Sequence, residues 1–195
     1  MKELATYKEQ LARTFLEVKE IDPAILEELL DAFEYVEFDK KEIMLRPGET
    51  ARYLYYVLEG AQKSYLVRDK VHVMAFSYPP FFCAIPDSFL LQIPSLFFLE
   101  SITESKMLRI SYERLQALLE KNIQLESLLR KQHEMMIVGL HTRQMELMAM
   151  SMEEKFEAFY KRSFHLFQMV SHKDIASYLN IDPTNLSKLL KKQMK

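Results

Sequence analysis

The stretch SHKDIASYLNIDPTNLSKLLKK, residues 171–192, predicts two short helices joined by a tight turn. Ser171 opens the first helix, where a serine hydroxyl caps free backbone N–H groups. Asn180 stands where the chain must turn, and asparagine adopts the required left-handed conformation more readily than most residues. Asp182 caps the second helix, and Pro183 fits its first turn, where no backbone N–H is needed. This pattern is that of a helix-turn-helix.

In DNA-binding proteins of this kind, the N-terminal half of the second helix enters the major groove. Thr184, Asn185 and Lys188 are then expected at base edges, because asparagine pairs well with adenine and lysine with guanine. Polar and basic residues around them suit phosphate contacts, which add salt-dependent affinity. The predicted DNA-binding residues are Ser171, His172, Lys173, Pro183, Thr184, Asn185, Ser187, Lys188, Lys191 and Lys192. An ordinary helical hairpin is the alternative.

The distribution of charge also suits a local DNA contact. The net charge of the whole chain is only −2, but residues 171–195 carry five lysines against two aspartates. A basic segment on a slightly acidic body can attract DNA phosphates locally. A solvated, lysine-rich terminus is the alternative interpretation of the same excess.

A long helix is predicted before this segment. Residues 112–150 contain no proline and one glycine, which favours a short helix over Tyr112–Lys121 and a long one over residues 123–150, divided by Asn122. Residues recurring at alternating steps of four and three form a coiled-coil seam. The predicted dimer seam consists of Leu129, His133, Met136, Leu140, Arg143 and Leu147. Further apolar residues widen this surface. One face of the long helix is therefore expected to pack against the chain's own barrel, and the other to pack against a second copy of the protein.

Ser151 and Glu154 have the spacing of a capping box, which opens a helix over Met152–Ser163. We therefore predict two domains, residues 1–150 and residues 151–195. Between residues 34 and 110, short strand-like runs alternate with turns, which predicts a small antiparallel barrel or sandwich. Gly48 and Gly60 occupy two of these turns. Two helices are predicted before the barrel, so the fold class is α+β.

Several function classes are disfavoured by composition. The single cysteine excludes a disulfide framework within the chain and any four-cysteine metal or iron–sulfur site. No apolar run reaches the ~18 residues that span a bilayer, and the N-terminus lacks a signal-peptide layout. The sequence contains no nucleophile elbow, no phosphate-binding loop and no cluster of residues with the spacing of metal ligands, so an enzyme is not expected. A cytoplasmic protein with no membrane contact, no catalytic residues and no metal site is expected.

Residues 40–190 resemble the Crp/Fnr family of bacterial regulators, and especially its short, Bacteroidetes-type members. The resemblance depends on motifs in the family's order and spacing. These motifs are Leu45-Arg46-Pro47-Gly48-Glu49, Leu54-Tyr55-Tyr56-Val57-Leu58-Glu59-Gly60, Asp87-Ser88-Phe89-Leu90, Pro94-Ser95, Leu108-Arg109-Ile110-Ser111, Ala176-Ser177-Tyr178-Leu179 and Leu186-Ser187-Lys188. The family implies an antiparallel jelly-roll effector domain resembling a cyclic-nucleotide-binding domain, a long dimerisation helix and ligand-driven reorientation of the DNA-binding domain.

The effector cassette departs from the family pattern. Cyclic-nucleotide-binding members carry a Gly-Glu pair and an Arg-Ser pair, whose arginine neutralises the cyclic phosphate. Here the pairs align near Pro80-Phe81 and Pro94-Ser95, so that cation is missing. Burying a phosphate without a cation is costly, so cyclic AMP is not expected. An unknown small-molecule effector, hydrophobic in character, or a collapsed pocket fits the candidate pocket residues Phe81, Phe82, Cys83, Ser95, Leu96 and His141.

Three residues invite a second interpretation. His133 and His141 share the long helix and are conceivable haem or metal ligands, as in the gas-sensing branch of the family; structural or solvent-facing histidines are the alternative. Cys83 is either a redox-sensitive thiol or a buried core cysteine. The oxygen-sensing branch is excluded because its four cysteines are missing. No cofactor is predicted.

The C-terminal domain is expected to lack a full wing, because only three residues follow the second helix of the motif. The predicted function is a homodimeric transcription regulator that binds a pseudo-palindromic site on double-stranded DNA, with RNA polymerase as a further partner. The alternative is a small-molecule sensor or interaction module whose helix-turn-helix no longer binds DNA.

Overall fold

A computed structural model describes residues 2–193. Lys195, counted above in the lysine-rich segment, lies outside the described residues, as do Met1 and Met194. The elements follow one another as α1 (Lys2–Val18), α2 (Pro23–Asp31), β1 (Glu34–Phe38), β2 (Ile43–Leu45), β3 (Tyr53–Glu59), β4 (Gln62–Val67), β5 (Val71–Ser77), β6 (Phe82–Cys83), α3 (Pro86–Leu91), β7 (Phe98–Ser101), β8 (Ser105–Ser111), α4 (Tyr112–Lys121), α5 (Ile123–Ala149), α6 (Met152–Ser163), α7 (Leu166–Met169), α8 (His172–Leu179) and α9 (Pro183–Gln193).

The eight strands form two antiparallel sheets of four strands each. One sheet has the order β1-β8-β3-β6, and the other has the order β2-β7-β4-β5. Strand neighbours that are distant in sequence, such as β1 and β8, show that the chain crosses between the sheets as in a jelly roll. The predicted α+β class with an antiparallel jelly roll is confirmed.

The barrel and the N-terminal helices share one hydrophobic core. Leu11 and Phe15 of α1 are buried there together with Val57 and Met107 of the sheet. Aromatic contacts join the layers, because the Phe15 ring stacks on Phe82 with 5.7 Å between centroids. The start of α5 closes the same core through Leu125 and Leu128, both buried. The first part of the long helix is therefore a structural element of the barrel domain.

The helices after the barrel follow the sequence signals closely. The Ser111 hydroxyl caps α4, and Asn122 caps α5 by accepting the N–H of Gln124 at 3.0 Å. Both hydrogen bonds of the Ser151–Glu154 capping box are present, at 3.2 and 2.8 Å. The long helix ends at Ala149, and α6 begins at Met152.

The C-terminal helices build a second core that extends into the barrel. Phe156, Phe159, Leu166 and Ile175 are buried in it. The barrel residue Ala61 belongs to the same buried cluster. A division into domains 1–150 and 151–195 stays a prediction, and the two parts are in direct contact.

Candidate DNA-binding surface and barrel cavity

Helices α8 and α9 form the predicted helix-turn-helix. The Ser171 hydroxyl accepts the N–H of Asp174 at 3.1 Å and caps α8. Asn180 ends α8 in the left-handed conformation, with φ 52° and ψ 49°. Asp182 accepts the N–H of Thr184 at 2.7 Å, and α9 begins at Pro183. Each local signal in residues 171–192 thus performs its predicted structural task.

Apolar residues hold the two helices together. Ile175, Leu179 and Leu186 are almost completely buried. Ala176 is also fully buried, and its small side chain allows the two helices to approach closely. The buried apolar side of α9 fixes which of its residues face solvent.

The opposite side of α9 is open. Nine of the ten predicted DNA-binding residues are exposed, and the side chain of Asn185 is half-buried. The Ser187 hydroxyl donates to the carbonyl of Pro183 at 2.9 Å, so it is already engaged within the helix. The exposed predicted DNA-binding residues are Ser171, His172, Lys173, Pro183, Thr184, Ser187, Lys188, Lys191 and Lys192. Nothing within residues 2–193 covers this surface.

The pKa of the Asp182 carboxyl is lowered, chiefly because it accepts the backbone N–H of Thr184. The carboxylate is therefore charged at neutral pH and complements the positive end of the α9 dipole. This negative group lies beside the predicted base-reading residues. Lys188 lies within electrostatic reach of it and lowers the same pKa further.

Helix α8 lies against the barrel. The Ser177 hydroxyl accepts the N–H of Val73 at 3.0 Å and donates to the carbonyl of Val71 at 2.9 Å. Lys63 of β4 forms an ion pair with Asp174 of α8, with 3.2 Å between Nζ and Oδ2. No signal in the sequence predicts these contacts, because they join residues more than 100 positions apart.

Arg143 is not available to the predicted dimer seam. Its guanidinium donates to the backbone carbonyl of Tyr178 and lies 3.9 Å above the Tyr178 ring. Burial lowers the pKa of Arg143, although the carboxylate of Glu146, 3.7 Å away, opposes this effect. Arg143 therefore joins α5 to α8 within one chain. Leu129 likewise packs against its own barrel core.

Large apolar residues nevertheless remain exposed on α5. Ile137 is 61% exposed and Met148 is 79% exposed. One face of α5 carries residues spaced by four, three or seven positions, which lie above one another on a helix. These residues are Arg130, Glu134, Ile137, His141 and Met148. All five are exposed. This exposed face is displaced by about one residue from the predicted seam, of which Leu140 alone is exposed.

A cavity of about 260 Å³ lies in the barrel between β2, β3 and the start of α3. Ligand pockets usually measure roughly 300–1,000 Å³, so this one suits a small ligand. Its apolar lining includes Leu45, Ile85 and Leu99. Its polar lining consists of Glu49, Thr50, Arg52, Tyr53 and Tyr55.

None of the six predicted pocket residues lines this cavity. Phe81 and Leu96 are largely exposed, at 54% and 66%, and His141 is also exposed. Phe82 contacts Phe15 and Tyr56 on the side of α1. Ser95 is buried, and its hydroxyl makes local hydrogen bonds, including one from the N–H of Phe97. The six residues stay a prediction for an effector site, and the arginine that borders the cavity is Arg52.

Cys83 is buried in the barrel core, and burial raises the pKa of its thiol to about 12. It is therefore protonated at neutral pH, which favours the structural interpretation over the redox one. His133 and His141 are eight residues apart on one helix, about 12 Å along its axis, and cannot bind one metal together. Residues 2–193 contain no group of three metal-ligating side chains. In the same range, none of the helices has the length and apolar character needed to cross a membrane.

Solved structures share this fold. FixK2 from Bradyrhizobium japonicum has a TM-score of 0.70 and 18% identity, covering 82% of this chain and 83% of that one. The c-di-GMP-responsive global regulator CLP of Xanthomonas campestris has a TM-score of 0.63 and 18% identity, covering 89% and 92%. The sensor domain of the transcriptional regulator DNR from Pseudomonas aeruginosa has a TM-score of 0.57 and 22% identity, covering 77% and 99%.

No protein-family model matches the sequence. No curated protein sequence matches it significantly either. These three regulators have the fold that the predicted resemblance to the Crp/Fnr family implies, so the resemblance is confirmed at the level of the fold. At identities of 18–22%, these matches establish the fold alone.

Proposed function

We propose that this protein is a homodimeric, sequence-specific DNA-binding transcription regulator. The observation that carries the proposal is the open side of α9, where Thr184 and Lys188 are exposed on a helix that a buried apolar face holds in place. A polar, lysine-bearing helix of a capped helix-turn-helix suits the major groove. The regulator-type barrel before it supports a sensing input and a DNA-binding output.

Dimerisation is proposed through the exposed face of α5. Exposed apolar side chains in the second half of α5 form a broad stripe that is costly in water unless another surface covers it; they are Met135, Ile137, Val138, Leu140, Met145 and Met148. The same face of a second copy is the natural cover, because two-fold dimers bury identical patches. Arg130 and Glu134, which form an ion pair within the helix, flank the stripe with both signs of charge. Two copies joined in this way would present two α9 helices to a pseudo-palindromic site.

The barrel cavity is the proposed binding site for a small-molecule effector. The barrel cavity suits a small ligand with apolar parts and one or two polar groups, which Tyr55 and Arg52 could bind. Glu49 contributes a carboxylate to the same lining, so the single negative charge of a cyclic phosphate would meet an anion there as well as Arg52. We therefore propose an effector other than cyclic AMP. RNA polymerase is the further partner that a transcriptional role implies, and the cytoplasm is the proposed location.

The DNA-binding proposal is tested by incubating the purified protein with a genomic DNA library at low salt and sequencing the retained fragments. A recurring pair of half-sites is expected. Lys188→Ala should weaken binding to the enriched site by about 1–3 kcal/mol, the cost of one lost base contact. Lys161→Ala, an exposed lysine on α6, is the matched control and should bind as the wild type does. If no sequence is enriched and Lys188→Ala changes nothing, the sensor or interaction module without DNA binding is favoured instead.

A further inference from the structure

Strand β5 lies at one edge of its sheet, and helix α8 covers that edge. The order β2-β7-β4-β5 gives β5 a strand partner on one side only. On the other side, the Ser177 hydroxyl accepts the N–H of Val73 and donates to the carbonyl of Val71. One side chain thus satisfies two backbone groups that a neighbouring strand would otherwise pair. We call these two hydrogen bonds and the packing around them the α8–β5 contact.

Apolar packing surrounds the two hydrogen bonds. The Phe76 ring of β5 lies 5.2 Å from the Tyr178 ring of α8 and 6.4 Å from the Phe159 ring of α6. The hydroxyl groups of Tyr78 and Ser163 are hydrogen-bonded at 2.8 Å. The core of the C-terminal domain is therefore completed by barrel side chains. A linker alone would not give that domain a fixed orientation.

Lys63 adds a charged contact to the same surface. Its ammonium group lies 3.2 Å from Asp174 of α8 and 3.7 Å from Glu100 of β7. All three side chains are less than one-fifth exposed, so loss of the cation leaves two carboxylates partly desolvated. Asp174 also accepts the Ser171 hydroxyl at 2.9 Å, which links the ion pair to the N-terminus of α8.

Arg143 holds α8 from the side of the long helix. It binds the carbonyl of Tyr178 in the last turn of α8, where the helix dipole favours a cation. Helix α8 is thus fixed to the barrel through Ser177 and to α5 through Tyr178. Because α9 packs directly on α8, its direction relative to α5 is fixed as well.

The contact does not hide the predicted DNA-binding surface. Thr184, Lys188 and Lys191 are exposed while Ser177 is bound to β5. Helix α8 therefore contacts the barrel with one side while α9 leaves its polar side free. An arrangement of this kind orients α9 without occluding it.

We propose that Ser177 and Lys63 are positioning residues that fix the separation of the two recognition helices in the dimer. The proposal rests on the function proposed above, namely DNA binding by a dimer formed through α5. In such a dimer, half-sites about one helical turn apart must meet two α9 helices of fixed direction. If α8 is released from β5, each α9 still binds its own half-site. The protein loses its preference for one spacing.

The test measures affinity for DNA duplexes whose two half-sites are separated in steps of one base pair, and for a duplex with a single half-site. The wild type is expected to prefer one spacing sharply. Ser177→Val, which has methyl groups in place of the hydroxyl and so loses both hydrogen bonds, and Lys63→Met should each reduce that preference by on the order of tenfold. Both variants should bind the single half-site within about twofold of the wild type.

Two further variants sharpen the result. Lys106→Met removes a barrel lysine that pairs with Glu59 away from α8, and it should keep the wild-type spacing preference. Ser177→Thr retains a hydroxyl and should restore most of the preference lost in Ser177→Val. Hydrogen exchange at the Val73 amide, expected to accelerate in Ser177→Val, confirms that the contact has opened.

An unchanged spacing preference in both Ser177→Val and Lys63→Met, together with faster exchange at Val73, overturns the positioning proposal. A wild type that recognises single half-sites but is indifferent to spacing also overturns it, while leaving DNA recognition intact. A wild type that binds no DNA sequence overturns the proposed function, and the positioning role falls with it. The last two outcomes are distinguished by the single half-site duplex.

Discussion

Gly60 joins β3 to β4 at a point where the backbone and the neighbouring loop leave no room for a side chain. Its φ is +91°, a conformation that strains any residue with a Cβ atom. A Cβ at this position would lie 2.5 Å from the carbonyl oxygen of Glu104 and 2.5 Å from Ser105 Oγ. Gly48 has a similar φ of +88° but nothing within 4 Å of the same point.

These two glycines give a residue-scale prediction. Gly60→Ala should lower the free energy of unfolding by roughly 2–4 kcal/mol, because steric overlap adds to the backbone strain. Gly48→Ala should cost only about 1 kcal/mol, from strain alone. Chemical denaturation followed by circular dichroism measures both. Equal losses in the two variants would contradict the steric explanation.

Single residues also show how far sequence reasoning reaches. Asn180 and Asp182 were predictable, because caps and left-handed turns depend on residues within one or two positions. Arg143 was not predictable, since its partner Tyr178 lies 35 positions away and its spacing also fits a dimer seam. The predicted pocket residues do not line the barrel cavity, for a related reason. Aligning Phe81 and Leu96 to a family cassette says nothing about their exposure here.

At the scale of elements, the caps of the helices carry the clearest consequence. The hydrogen bond from the Thr184 N–H stabilises the charged form of Asp182 and lowers its pKa. A carboxylate whose pKa is lower in the folded state contributes stability above its unfolded pKa of about 3.9. That contribution is lost as the pH falls through the folded pKa. Acid should therefore weaken the start of α9.

Asp182→Asn should reduce this acid sensitivity, because asparagine accepts the same N–H without a titrating charge. Thermal unfolding between pH 6 and pH 3 is the measurement, and the fall in Tm below pH 4 should be smaller in the variant. Glu157→Gln, an exposed position in the middle of α6, serves as the control and should follow the wild type. If the Tm of Asp182→Asn falls below pH 4 as steeply as that of the wild type, the role assigned to this cap is contradicted.

Element prediction succeeded where the signal was local. The boundaries of α4, α5 and α6 agree with the sequence within one residue, because caps and a proline-free stretch define them. Strand β7 and helix α3 were missed, since the apolar run from Phe89 to Ile102 gives no alternation to distinguish strand, helix and loop. Strand β6 has two residues and exists only through its pairing with β3.

The whole molecule depends on what covers α5. Apolar residues occur around most of this helix, so the sequence alone could not decide which face meets the barrel and which remains open. The structure places Leu125 and Leu128 in the core and leaves Ile137 and Val138 in solvent. The predicted seam differs from the exposed face by about one residue, or roughly 100° of helix rotation.

Ile137→Glu should therefore convert the proposed dimer into a monomer, because two like charges would meet on the buried seam. Light scattering coupled to size-exclusion chromatography measures the change. Lys121→Glu, at an exposed position at the end of α4, changes a charge away from the open side of α5 and should leave the dimer intact. A dimer that survives Ile137→Glu would place the interface elsewhere.

The covered edge of β5 has a consequence for how the protein behaves at high concentration. The strand Val71–Ser77 contains no proline, lysine or carboxylate, the residues that commonly prevent open strands from pairing. Once α8 departs, its free N–H and C=O groups form a template onto which a strand of another molecule can add. By covering this edge, helix α8 also prevents the strand from pairing with other molecules. At high concentration, variants that loosen the contact of α8 with β5 should precipitate at temperatures below their unfolding transition, whereas dilute samples should remain in solution.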